Sequence, residues 1–408
     1  MNIFDLARAR ILAGGGSGGG GGDTVPVKAK GVNFYDYDGT LLHSYTVEEA
    51  QALIALPELP TQEGLICQGW NYDLETIKSY NREVNVGATY ITDDGKTRLY
   101  IKIAAEGRMK VPLYFQQTVE NGVTIDWGDG SATETLSGTG KVKTTHTYAS
   151  IGEYVISLDV MDGCTLGLGY ESSTYCVMGA TNNNGKVYCN MLQKVEIGKC
   201  VTSLGVYTFN SCYSLKSVTI PHSVTSLGGN AFQACYSLAS VVIPNSVTSS
   251  GSYTFNGCYS LANVVIPHSV TKIDGYTFQD CRSLVSVVIP IGVTAIDTYA
   301  FNNCYALASI VIPRDVTSLG SYAFQYCRSL TNVVIPNGVT SLGNYAFDGC
   351  TGVKFYDFTS HTAVPTLGGT IAFGNIPSDG EIRVPEALYD EWIAAKNWST
   401  YVSNIISV

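Results

Sequence analysis

A fixed interval of 23 residues runs through the C-terminal half of this chain and leaves few folds open to it. "CYSLKSVTIPHSVTSLGGNAF" (Cys212 to Phe232) aligns with "CYSLASVVIPNSVTSSGSYTF" (Cys235 to Phe255). Cysteine returns at 189, 212, 235, 258, 281, 304, 327 and 350, and proline at 221, 244, 267, 290, 313 and 336. Phenylalanine returns at 209, 232, 255, 278, 301, 324 and 347. Within each interval, L-x-x-V-x-I-P reads as a short strand, as in Leu261, Val264 and Ile266 ahead of Pro267. Leu, Val and Ile point inward, and proline ends the strand because it has no N–H to donate. Val270, Ile273 and Phe278 follow as further inward anchors. One unit alone cannot bury these side chains, whereas stacked units can, which is the logic of a solenoid. Strands on successive rungs lie about 4.8 Å apart, so roughly seven or eight rungs make a rod on the order of 35 Å long.

The consensus SLxxVxIPxxVTSLGxxAFxxC recurs almost intact over residues 187–358 and resembles the BspA-type bacterial leucine-rich repeat, a surface-protein class. The resemblance implies a leucine-rich-repeat solenoid there. Ser250 stands where the other units carry Leu or Ile, so a local packing defect is expected. Eight of the twelve cysteines belong to the ladder. Rung spacing would set neighbouring Cα atoms within disulfide range, but parallel stacking points their Cβ bonds the same way. Small buried thiols suit the position, and no histidine shares the period to suggest a metal. After Cys350 the pattern drifts. "VKFYDF" keeps Val353, Tyr356 and Phe358 inward, and "EIRVP" reads as a last strand. "EALYDEWIAAKNW" places Leu388, Trp392 and Ala395 at helical spacing. Residues 359–408 are therefore expected to close the solenoid with a helical cap.

The outward strand position reads Thr219, Val242, Val265, Val288, Val311, Val334. β-propensity alone accounts for such a run, but these residues should also line the concave face as an exposed apolar stripe suited to a partner. Tyr213, Tyr236, Tyr259 and Tyr305 flank it on the loops, with Arg282 and Arg328 replacing tyrosine on two rungs. Aromatic rings with hydroxyl tips grip sugars and protein surfaces well. His222 and His268, just after proline, read as solvent-exposed turn residues.

Residues 123–160, "VTIDWGDGSATETLSGTGKVKTTHTYASIGEYVISLDV", alternate like strands at both ends around a "GDGS" turn. W-G-D-G…H-T-Y…G-x-Y-x-V resembles the polycystic-kidney-disease-like (PKD) domain, an immunoglobulin-like β-sandwich. The resemblance spans residues 101–162 and implies a spacer with Trp127 in the core and Tyr148 and Tyr154 packed on the sheet. Asp126 and Asp129 fit backbone hydrogen bonds in a tight turn better than calcium, which takes six to eight oxygens. Residues 163–186 read as a connecting segment, either an ordered loop or an entry cap to the solenoid.

Residues 1–22 combine a short helix, with Ile3, Phe4, Ala7 and Ile11 on one side, and a glycine-rich tether. Asp5, Arg8 and Arg10 interrupt what a secretory signal would need. The arrangement is similar to structural proteins of tailed phages and prophages of gut bacteria. In the small α+β module at 23–100, "FYDYDGT" matches D-x-D-G-T, the first motif of haloacid-dehalogenase-like phosphatases. Asp36 would be its nucleophile and Asp38 its acid/base. About seventy residues are too few for that fold, and "ITDDGK" reads as a hairpin turn between alternating strands. "TVEEAQALIAL" reads as a helix with Thr46 as N-cap and Glu49 completing a capping box.

A net charge of −10 disfavours nucleic acid and anionic membrane as partners, and no apolar run has the roughly 20 residues a bilayer requires. The expected chain is mainly β and modular: an α+β module, a sandwich, a solenoid and a helical cap. No catalytic residue, cofactor or metal site is expected. The leading functional expectation is a phage tail or baseplate protein of the virion. Its N-terminal helix would dock on other virion proteins, and its solenoid would meet a glycan or protein of the host surface. A bacterial cell-surface adhesin of the same repeat class is the alternative, and a magnesium-dependent phosphatase using Asp36 a distant one. Homo-oligomerisation is left open.

Overall fold

The computed structural model describes residues 31–79, 83–169, 175–180 and 186–408. The helix and tether expected at 1–22 lie outside the described residues. The chain is mainly β. Strands β1 (Gly31–Tyr35), β2 (Leu41–Thr46), β3 (Leu65–Trp70) and β4 (Val84–Thr92) form one sheet in the order β2-β1-β4-β3. Phe34, Trp70, Tyr72, Ile77 and Val86 fill its core. The capping box is present: Glu49 N donates to Thr46 Oγ1, and Thr46 N donates to the Glu49 carboxylate. The helix, Val47–Gln51, is much shorter than the sequence suggests, because only Ala50 of it is buried, and Ile54 beyond it is 97% exposed.

The Asp93–Lys96 turn forms, with Lys96 N donating to Asp94 Oδ1 and Gly95 at φ +75°, but it closes no hairpin. β4 stays in the first sheet, whereas β5 (Thr97–Ile103) begins the next body. Alternation marks both strands correctly and is silent about their partners. The apolar side of β5 (Leu99, Ile101 and Ile103) enters a larger core.

That body comprises β5, β6 (Lys110–Gln117), β7 (Val123–Asp126), β8 (Glu134–Thr135), β9 (Gly140–Thr147), β10 (Gly152–Val160) and β11 (Leu166–Leu168). One sheet runs β8-β7-β10-β5, the other β9-β6-β11, and Leu113, Phe115, Ile125, Trp127 and Ile156 are buried in this region. After a small hairpin, β12 (Tyr175–Cys176) and β13 (Gly179–Ala180), the solenoid begins with β14 (Leu192–Glu196) and β15 (Val201–Leu204). β14 pairs antiparallel with β5, and β15 pairs parallel with β11. The two sheets of the sandwich thus run directly into the two sheets of the solenoid, and their buried side chains form a single cluster.

Each later rung stacks a strand on both sides, with the bonded ladder interrupted between Ser217–Thr219 and Ser240–Val242, between Ser309–Val311 and Asn332–Val334, and between Ser249–Ser250 and Lys272–Ile273. On the first, Ser240–Val242 pairs parallel with Asn263–Val265, Val241 opposite Val264. On the second, Ser318–Leu319 pairs with Ser341–Leu342. The ladder thiols are buried, and from Cys235 to Cys350 each donates to a phenylalanine carbonyl 26 residues earlier, as Cys258 Sγ does to Phe232 O at 3.2 Å. Burial pushes the Cys212 and Cys350 pKa values up to about 12. Beside them runs a chain of amides. Asn210, Gln233, Asn256, Gln279, Asn302 and Gln325 each donate one rung forward, and Asp348 accepts at the end.

Val353, Tyr356 and Phe358 point inward as read. The last strand of the pattern is Glu381–Val384, and the helix Tyr389–Ala394 buries Trp392. One element goes unforeseen: Ile405–Ser407 returns to pair parallel with Glu381–Val384 and extends the sheet by a strand.

Candidate binding face

In each rung of the first sheet the pleat turns the middle residue inward and its neighbours outward, so Thr219, Val242, Val265, Val288, Val311 and Val334 share one outer column. The column is not the open stripe its sequence suggests, because the N-terminal module lies across its first three rungs. Thr219, Val242 and Val265 are only 2%, 5% and 4% exposed. Val242 and Val265 pack on Tyr35 and Leu41. Gly87 of β4 approaches so closely that a Cβ there would stand 2.5 Å from Val242 Cγ1. Asn71 Nδ2 donates to Ile243 O at 3.3 Å, and the Tyr72 hydroxyl to Ile266 O at 2.8 Å.

The two histidines also differ from expectation, since both belong to this contact. His222 N donates to Gln68 Oε1 at 2.8 Å, and His268 packs against the Tyr72 ring at 5.3 Å. His222 Nε2 lies 2.8 Å from Thr89 Oγ1, whose own proton goes to Gly69 O. The imidazole must therefore be the donor there, and burial pushes its pKa down. An apolar column shows that something will cover it but not what; burying it against a second apolar face removes both from water. A signal was nevertheless present in "VNVGATY", since a glycine inside a strand marks close backbone approach.

Beyond these the column opens, partly at the rung of Val288, where Ile291 still touches the module, and fully on the next two. Val288 is half-buried, and Val311 and Val334 are 45% and 56% exposed. The loop residues form one continuous stack along the edge. Tyr213, Tyr236 and Tyr259 lie face to face with centroids 4.6 and 4.5 Å apart. Arg282 continues the stack, 4.4 Å above Tyr259 and 5.8 Å from Tyr305, and Arg328 lies 5.2 Å from Tyr305. The tyrosines at 213, 236 and 259 thus stand on the covered rungs, while Arg282, Tyr305 and Arg328 stand on the open ones. Stacking occupies the faces of the inner rings and leaves edges and hydroxyls outward, so the column offers little open ring face for a sugar.

The D-x-D-G-T stretch sits in the same contact. Asp36 is 3% exposed, and its two oxygens accept from Tyr37 N at 2.8 Å and Gln62 Nε2 at 2.7 Å. Asp38 Oδ1 accepts from Thr40 N, and Gly39, at φ +86°, turns against Ser240. These carboxylates close a turn that seats the module on the solenoid. In the sandwich, Asp126 accepts from Gly128 N and Asp129 from Ser131 N. Asp129 also meets His146 Nε2 at 2.7 Å. The Ser131 and His146 bonds hold its carboxyl down at about 2. Among the described residues, no group of three or more His, Cys, Asp and Glu is placed to hold a metal.

No curated protein matches this chain. Solved leucine-rich-repeat proteins resemble it over part of its length. The Treponema pallidum protein TpLRR is 27% identical, covering 45% of this chain and 84% of that one at a TM-score of 0.36. A leucine-rich repeat protein from Eubacterium ventriosum is 28% identical, covering 42% and 44% at 0.35. One from Bacteroides ovatus is 20% identical, covering 53% and 66% at 0.35. A family profile matches more directly, with six copies across residues 186–308 and 294–386. The solenoid of this chain belongs to the BspA-type leucine-rich repeat family.

Proposed function

We propose that this chain is an adhesin-like binding protein of a bacterial surface, and that it holds a protein partner on the rungs of Val288, Val311 and Val334. One observation carries the reading: the apolar column whose first three rungs receive a folded module runs on, half-buried at Val288 and exposed at Val311 and Val334. The covered half illustrates the chemistry, in which valines pack on aromatic and glycine surface while side-chain donors reach strand carbonyls. On the open rungs Arg328 adds positive charge at the edge, which suits a partner carrying carboxylates, while Arg282 is already paired with Asp280 at 3.1 Å. The stacked rings favour a protein surface over a sugar. The PKD-like resemblance fits a spacer role for the sandwich. A virion-borne form, hung by residues 1–22 from a phage tail, would use the same face.

The test uses the full chain against whole bacterial cells and a glycan array. Val311→Asp combined with Val334→Asp should weaken cell binding at least about tenfold, which corresponds to roughly 1.4 kcal/mol. Thr317→Asp, on the second sheet, should leave it unchanged. Undiminished binding by the double variant would remove this face from consideration. Strong glycan hits would transfer the ligand to carbohydrate.

A further inference from the structure

The segment that begins the solenoid contains a pair of sulfurs whose geometry differs from that of the ladder thiols. Cys176, at the end of β12, and Cys189, at the end of the helix Lys186–Cys189, bring their Sγ atoms to 2.6 Å. Nonbonded heavy atoms settle at roughly 3.5–4.0 Å, and a disulfide at about 2.05 Å. The separation lies deep inside the repulsive wall for two thiols and nearer a bond than a contact. Each ladder thiol from Cys235 onward has a phenylalanine carbonyl to donate to, whereas Cys189 stands on the first rung between Cys176, at 2.6 Å, and the Cys212 thiol of the next rung. Both are 0–1% exposed, and Val177 and Met178 beside them are fully buried.

We propose that Cys176 and Cys189 form a disulfide that staples this cap to the first rung, while the ladder thiols above it stay reduced. Among the described residues, the hairpin meets its surroundings through backbone bonds that include Val177 N to Thr208 O at 2.8 Å and Tyr114 N to Val177 O at 3.0 Å. A cross-link would fix it over the end of the core, where a solenoid needs a cover. The oxidant is a low-molecular-weight disulfide such as oxidised glutathione. One cysteine thiolate attacks it to give a mixed disulfide, and the second displaces the carrier thiol. Two protein thiols and one small disulfide thereby become one protein disulfide and two small thiols. The step belongs to assembly of the cap, since afterwards the neighbouring thiols, together with burial, hold an unbonded thiol here protonated and slow. Such bonds persist in oxidising surroundings, as outside a cell.

The experiment refolds the full chain in a buffer of oxidised and reduced glutathione, quenches with acid, and alkylates in denaturant without further reductant. With twelve cysteines in the chain and two bonded, the mass should show ten tags, and peptide mapping should join Cys176 to Cys189. Cys176→Ser should take eleven tags, one on every remaining thiol, whereas Cys67→Ser should keep the protected pair. Adding reductant to the oxidised protein should lower its melting temperature by several degrees. Twelve tags on the wild-type protein, or a protected pair elsewhere such as Cys189 with Cys212, would overturn the proposal. Either result can be read from the wild-type protein alone, so it stands even if a variant fails to fold.

Discussion

Ser250 shows how much one side chain counts in a repeating core. On the neighbouring rungs Leu227 and Ile273 fill the equivalent position; at Ser250 a cavity of about 20 Å³ remains, bounded by Leu227, Ile243, Phe255 and Ile273. Its lining is apolar, so a water there would find few partners. Ser250→Leu is expected to stabilise the protein by about 1 kcal/mol, seen as a rise of roughly 1–3 °C in a thermal melt. A fall would mean that the neighbours cannot admit the larger side chain. Asp129 makes a pH-dependent contribution. Its folded pKa of about 2 lies below the roughly 3.9 of an unfolded aspartate. Its stabilisation is therefore complete above about pH 4 and lost as pH falls through the folded value. Asp129→Asn should flatten the dependence of unfolding midpoint on pH between about 4 and 2, and an unchanged slope would assign that dependence to other carboxylates.

At the scale of elements, the rungs are held by columns of like groups. Tyr253, Tyr276, Tyr299, Tyr322 and Tyr345 all adopt φ of 60–63°, a region that costs a bulky residue about 1–2 kcal/mol. Their rings stack at 4.2–4.8 Å, and each such pair returns roughly 0.5–1.5 kcal/mol. The amide chain is a second column, and Gln279→Leu would break it in the middle. That change leaves Asn256 Nδ2 with only a long 3.5 Å bond to the residue 279 carbonyl and takes the Gln279 donor from Asn302 Oδ1, on a residue 3% exposed. The cost should be about 1–3 kcal/mol, measured as a lower denaturant midpoint at constant m-value. Strands and inward anchors were legible because near-copies repeat the same local signal, and the cap because helical spacing follows where the repeat drifts. The amide column was equally periodic in Asn210, Gln233, Asn256 and Gln279, but only a structure reveals that alternating side-chain lengths join donor to acceptor. Pairing across bodies of sheet was not legible. The Asp93–Lys96 turn has hairpin chemistry and links two different sheets, and nothing local to β4 or Thr219–Val265 names the other.

The whole molecule is less modular than its composition shifts suggest. β5 and β11 of the sandwich are the strands on which β14 and β15 are laid, so the sandwich acts as the solenoid's first cap. A fragment starting at residue 187 would strip the partners from β14 and β15 and uncover Leu192, Val195, Val201 and Leu204, all fully or nearly fully buried in the intact chain. It would also present two unpaired strand edges, which invite association with other chains. A fragment of residues 97–408 keeps both sheets whole and loses only the docked module, exposing Val242 and Val265 on a face that the fold does not need. Residues 97–408 should therefore be soluble and melt in one cooperative transition, with sandwich and solenoid signals coinciding. Residues 187–408 should aggregate or melt far lower. Size-exclusion chromatography with thermal circular dichroism decides between them: a monomeric 187–408 fragment with the melting temperature of the longer piece would show that the rungs need no sandwich to start them.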